Sequence, residues 1–192
     1  MLSVTLHYLI KIRKNKMAHI QLPEFEEMSP AIQDKARPIM EKTGSLGEIF
    51  KLIAVDEKIY FATDMMVQKY LLDETTLSYD IKEAIALLIS KENGCKMCVD
   101  VHKNIAKMLG LTEQRIEEIL QGVNSMQSSE AEKALLNFCI KASKKDNYKI
   151  QKGEIDSLKE MGWSDVQVVE AVAIVGYFNY INTLSNVFGL GE

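Results

Sequence analysis

The chain has 192 residues, 47% of them hydrophobic and 26% charged, with a formal net charge of −4. That length and balance suit one globular unit with a sizeable core, leave little room for a second full domain, and give no basic footprint for nucleic acid. Three cysteines in a chain of this size do not make the framework of a small secreted scaffold, so a cytoplasmic protein is expected, and a closely spaced pair there points to catalysis or metal binding.

Residues 1 to 16 begin apolar and end basic, the reverse of a secretory signal. No small-residue cleavage site follows, and the apolar run is too short to span a bilayer. Met17 is a candidate second start. Residues 1–20 read as an N-terminal extension, with His7 and His19 as solvated tail histidines. Residues 21–192 read as a single helical domain. Leu22 to Glu27 is expected to be extended or looping. Ala31 to Lys42 reads as a short helix that Pro38 either kinks or restarts. Gly44 to Gly47 is a loop. Glu48 to Asp73 carries two helical patterns, broken around Val55 to Glu57.

Ser78 is a good N-cap, with Asp80 in the first turn it opens. The apolar stripe of this helix is Leu77, Ile81, Ala84, Ile85 and Leu88. Glu83 lies at its edge. From pattern alone it is either an ordinary surface glutamate or an inward partner for a thiol or imidazole on the next helix, because short connections set successive helices side by side.

The next stretch, Glu92 to His102, holds Cys95, Cys98 and His102. Gly94 offers a helix stop, which predicts Cys95 in the first turn of a new helix running to Gly110. At about 100° per residue the three side chains fall within about 60° of one another, and Cys98 and His102 form an i,i+4 pair. Helix N-termini, a neighbouring imidazolium and the CxxC arrangement all favour thiolate. Two sulfurs this close can form a disulfide once one is oxidised. A metal site and a pair of inert core cysteines remain open readings.

Thr112 caps a short helix closed by Gly122. Ser129 and Glu132 read as a capping box for a helix to about Ala142, with Cys139 in its apolar stripe as a core residue. Glu154 to Met161 is a short helix. Ser164 and Gln167 form a second capping box. From Val166 to Val187 the chain is strongly apolar, interrupted by Glu170, Asn179, Asn182 and Asn186. These polar groups argue against a membrane span and for a central core helix, apolar all round, suited to an oligomer interface. No useful stretch alternates with period two, so the chain reads as all-α, and the βαβ setting of a thioredoxin-type CxxC is missing.

Glu83, followed twelve residues later by Cys95-x-x-Cys98-x-x-x-His102 with Asn93-Gly94 just ahead, resembles the signature of the AhpD-like alkylhydroperoxidases, within the carboxymuconolactone decarboxylase superfamily. The resemblance is closest from Leu77 to Leu120. It extends more loosely to Leu46–Leu72 and Leu135–Gly189, where Phe178-Asn179-Tyr180-Ile181-Asn182 is similar to the family's last helix. It implies an all-helical AhpD-like fold that assembles as a homo-oligomer, as trimers or hexamers. It implies a thiol peroxidase acting on small-molecule hydroperoxides, with a thiol or dithiol reductant or partner redox protein and no cofactor or metal. Carried over by position, Cys98 becomes the peroxidatic cysteine. Cys95 protonates the leaving alcohol and closes the disulfide. His102 is the base, and Glu83 orients it or relays protons. Met97 stands where many relatives carry an aromatic residue or a histidine, so an extra relay histidine is missing. Two further classes remain. The superfamily's decarboxylases generally lack the CxxC. A zinc site drawn from Cys95, Cys98, His102 and Glu83 has suitable ligand types but too tight a spacing.

Overall fold

The computed structural model describes residues 18–191, so the expectations for residues 1–17 lie outside the described residues. The described residues form helices joined by short connections, with no strand among them. In chain order these are α1 (Pro30–Thr43), α2 (Glu48–Ile53), α3 (Glu57–Met66), α4 (Tyr79–Glu92), α5 (Lys96–Met108), α6 (Glu113–Gln121), α7 (Glu130–Ala142), α8 (Lys152–Glu160) and α9 (Asp165–Val187).

Caps written in the sequence set most of the starts. Ser29, Asp56, Ser78, Thr112, Ser129 and Ser164 each accept a hydrogen bond from a backbone N–H of the helix they open. Pro38 lies inside an unbroken α1, neither ending nor restarting it. Phe25–Glu27, within the segment expected to be extended or looping, forms one tight 3-10 turn. The wide π-turn Val67–Leu72 extends α3. The box expected at Ser129 is only half made. Ser129 takes the Glu132 N–H, but the Glu132 carboxylate turns to Arg115 and Ser128 instead. A charged partner outcompetes a backbone amide for it.

The central helix is α4, not α9 as the apolar run suggests. Nine consecutive residues, Lys82 to Ser90, are buried, and α5, α6, α7 and α9 pack around them. Ala84 and Ala86 let those neighbours approach, while Ile85, Leu87 and Ile89 fill the core. Because α4 is buried on every side, its stripe does not mark a solvent face. Glu83 and Lys82 are therefore both inside, at 4% and 1% exposure. The Lys82 ammonium donates to the Asp73 carbonyl (2.9 Å) and lies 3.8 Å from Glu170. Burial pulls its pKa down from the ordinary lysine value, and the Glu170 carboxylate opposes that. Glu170, a polar interruption of α9, also accepts from the side chains of Thr75 and Thr76.

In the described chain α9 is not buried all round. It packs Val168, Ala171, Ile174, Phe178 and Ile181 inward but leaves Val166, Val169 and Val172 exposed. No helix among the described residues is long and apolar enough to cross a membrane.

Candidate active site

The site is made where α4 turns into α5. Asn93 ends α4, and Gly94 follows at φ +67°, a left-handed conformation that glycine adopts without a steric cost. The Gly94 N–H reaches the Lys91 carbonyl, and the Cys95 N–H reaches Ser90 (2.9 Å). This is the paired closure of a Schellman turn. Its last residue immediately opens α5. Cys95 is thus the N-cap of α5, not a first-turn residue as the sequence suggests, and its sulfur accepts from the Cys98 N–H at 3.3 Å. The angular argument survives for Cys98 and His102, which lie one turn apart on the inner face. Cys95 joins them through its cap position instead.

The three asparagines that interrupt α9 hold this turn. Asn93 donates to Asn179 (2.9 Å) and Asn182 (3.0 Å), Asn182 donates to Ser90 Oγ (3.1 Å), and Asn186 donates to the Asn93 carbonyl (2.8 Å). Spaced i, i+3 and i+7, they form one polar edge of an otherwise apolar helix. Asn182→Ala should cost about 1–3 kcal/mol, because it leaves the buried Ser90 hydroxyl and the Asn93 amide short of a partner. Urea unfolding of the variant beside the parent checks this.

Cys95 and Cys98 are joined as a disulfide, with their Cα atoms 5.3 Å apart. They are 2% and 5% exposed. His102 Nδ1 lies 2.8 Å from Glu83 Oε2, and both side chains are buried. The inward alternative for Glu83 is the observed one. With Nδ1 occupied, Nε2 is the ring nitrogen left to work on a neighbour. Phe178 packs edge-on against the imidazole at 4.9 Å and fixes its plane. The structure therefore brings Glu83, Cys95, Cys98 and His102 together.

A cavity of about 180 Å³ opens onto this group. Its walls are mostly apolar, including Ile49, Phe50, Leu71, Val101 and Leu109, and its polar lining includes Glu83, His102, Tyr79, Tyr177 and Ser185. Cys98 faces it; Cys95 does not. Burial pushes the Tyr177 phenol above its ordinary range, which keeps it a neutral donor. Met97 also lines the cavity and packs against the C-terminal turn so closely that a Cβ on Gly191 would sit 2.7 Å from its own. Sequence reasoning missed Ser185, Tyr177 and the asparagine clamp. Only the asparagines carried a signal, as polar residues in an apolar helix. Cys139 is fully buried in α7, as its place in the stripe implies. Among the described residues no cluster of three or more His, Cys, Asp or Glu side chains is arranged to hold a metal ion.

The described residues thus form an all-helical bundle with a buried disulfide and a carboxylate–imidazole pair at the end of an apolar cavity. Residues 60–141 match the profile of the Carboxymuconolactone decarboxylase family. The fold is that of the alkylhydroperoxidase AhpD core in an uncharacterized peroxidase-related protein from Ralstonia eutropha (TM-score 0.82, 20% identity, 91% of each chain covered). An uncharacterized peroxidase-related protein from Silicibacter superposes equally well (TM-score 0.82, 20% identity, 93% of each chain). The debrominase Bmp8, solved with 2,3,4-tribromopyrrole, is more distant (TM-score 0.67, 18% identity, 83% of this chain and 84% of that one). Uncharacterized protein YdfG of Bacillus subtilis is 36% identical over 52 residues, which is 27% of this chain and 35% of YdfG, so the match spans about a third of that relative. The chain thus carries a Carboxymuconolactone decarboxylase family match over residues 60–141, and its described residues have the AhpD-like fold.

Proposed function

We propose that the chain is a thiol peroxidase that reduces organic hydroperoxides through Cys98 and Cys95. The observation that carries this reading is the buried Glu83–His102 pair beside Cys98 at the end of an apolar cavity. Glu83 accepts from His102 Nδ1–H and so presents the basic Nε2 to the Cys98 thiol, one turn away. The Cys98 thiolate attacks the outer oxygen of ROOH. The O–O bond breaks, the alkoxide takes a proton and leaves as ROH, and Cys98 becomes a sulfenic acid. Cys95 sulfur then attacks Cys98 sulfur, water leaves, and the observed disulfide results. A thiol or dithiol reductant returns both cysteines to thiols and carries away the oxidising equivalents as its own disulfide. Such a cycle suits the cytoplasm, where thiol pools stay reduced.

The apolar wall favours an organic group over bare hydrogen peroxide. With dithiothreitol as reductant, cumene hydroperoxide should be consumed catalytically and faster than hydrogen peroxide. Consumption that stops at background would contradict the reading.

The working form is a homo-oligomer, a trimer or a dimer of trimers. Support comes from the exposed stripe Val166, Val169 and Val172 on α9 and from Leu72, Val101, Met108 and Leu109, all more than a third exposed in the single chain. Light scattering at micromolar concentration should give a multiple of the 21.7 kDa chain mass; a monomer mass would contradict it.

A further inference from the structure

Ser185 Oγ lies 3.5 Å from Cys98 Sγ, and both residues are buried. The serine comes from α9, far from the CxxC in sequence, and is only 1% exposed. Its hydroxyl also lies 2.9 Å from the Ile181 carbonyl, one turn back on the same helix, and donates to it. In the disulfide neither sulfur carries a proton or a charge, so Cys98 makes no demand on that hydroxyl.

Reduction changes the demand. A dithiol R(SH)2 supplies two electrons and two protons. The Cys95–Cys98 bond breaks, both sulfurs become thiols, and R closes its own disulfide. Once His102 takes the Cys98 proton, a negative charge sits among apolar walls, where an unmatched charge is costly. The Ser185 O–H can turn about its Cβ–Oγ bond with no heavy atom moving. The Ile181 carbonyl keeps its helical bond from the Ser185 N–H. The result is a charge-assisted hydrogen bond to sulfur.

We propose that Ser185 is the hydroxyl that holds the Cys98 thiolate, donating to Ile181 in the disulfide and to Cys98 Sγ in the reduced protein. This rests on Cys98 being the reactive sulfur, as proposed above. The two sulfurs then have different donors. Cys95 has the Cys98 N–H at the start of α5, and Cys98 has the Ser185 hydroxyl.

The test is the pH profile of iodoacetamide alkylation, which reads thiolate directly. Ser185→Ala is made in a Cys95→Ser background to read Cys98, and in a Cys98→Ser background to read Cys95. The titratable groups around Cys98 are His102 and Cys95 on or beside its own helix, Glu83 and Tyr79 on α4, and Tyr177 on α9, and all stay in place when Cys98 is read except Cys95. Loss of the hydroxyl should move the Cys98 profile to higher pH and lower its neutral-pH alkylation rate about tenfold, the usual weight of one hydrogen bond to a charge. The Cys95 profile should stay where it is. An unmoved Cys98 profile, or equal movement of both, overturns the proposal. The titration uses no peroxide. A shifted Cys98 profile in a protein that turns over no hydroperoxide keeps Ser185 as the thiolate donor and removes only the peroxidase reading. Turnover with an unmoved profile removes only the Ser185 role.

Discussion

Glu83→Gln should leave the helices in place and lower hydroperoxide turnover by ~100- to ~10,000-fold, the usual range for a lost acid–base relay. The amide is nearly the same shape as the carboxyl group and still offers an oxygen to His102 Nδ1–H, so packing at this 4% exposed site changes little. What it lacks is the negative charge that stabilises the imidazolium formed when His102 takes the Cys98 proton. The loss should therefore appear in the step that makes thiolate, and in kcat as well as kcat/KM. Steady-state kinetics beside circular dichroism of the same preparation checks this. Unchanged turnover with unchanged helicity would make the Glu83–His102 contact a structural one.

The second large effect separates the cysteines. Cys95→Ser should react once with a hydroperoxide and stop at a sulfenic acid on Cys98 that dimedone traps. Cys98→Ser should form no sulfenic acid at a comparable rate. Two observations favour this assignment. Cys98 faces the cavity, whereas Cys95 is turned away from it as the N-cap of α5. Cys98 also has His102 one helical turn on. The counterweight is that an N-cap sulfur receiving a backbone N–H is itself a favoured thiolate. Dimedone on Cys95 in Cys98→Ser, with none on Cys98 in Cys95→Ser, would reverse the roles. Cys139 should stay silent in both. Burial pushes its thiol up to about 12, so at pH 8 roughly one molecule in ten thousand is ionised there.

Much of the geometry of this site is legible in the sequence. The CxxC–x3–His spacing fixes Cys98 and His102 on one face of any helix, and Gly94 marks where the preceding helix must end. The location of Glu83 was not legible from periodicity. A stripe separates inside from outside only when a helix has an outside, and α4 has none. The resemblance to a family signature placed Glu83 where its own pattern did not. The opposite error concerned α9. Its composition suggested the central core helix, with apolar surface left over for an oligomer interface, yet α4 holds the centre, and Val166, Val169 and Val172 face outward in the single chain. The asparagines of α9 drew notice as interruptions, but their purpose depends on a turn some 90 residues away. Ser185 left no mark at all, since one serine at the end of an apolar helix is unremarked in any sequence.

In the proposed cycle Cys95 and Cys98 pass between dithiol and disulfide at the expense of a hydroperoxide. The most direct measurement is mass spectrometry of the fully reduced protein before and after one equivalent of an organic hydroperoxide under exclusion of air. The expected result is the loss of two hydrogens from the intact chain, with a peptide crosslinked between Cys95 and Cys98 and Cys139 still free. An unchanged mass and two free thiols at Cys95 and Cys98, after the hydroperoxide has had time to react, would contradict it.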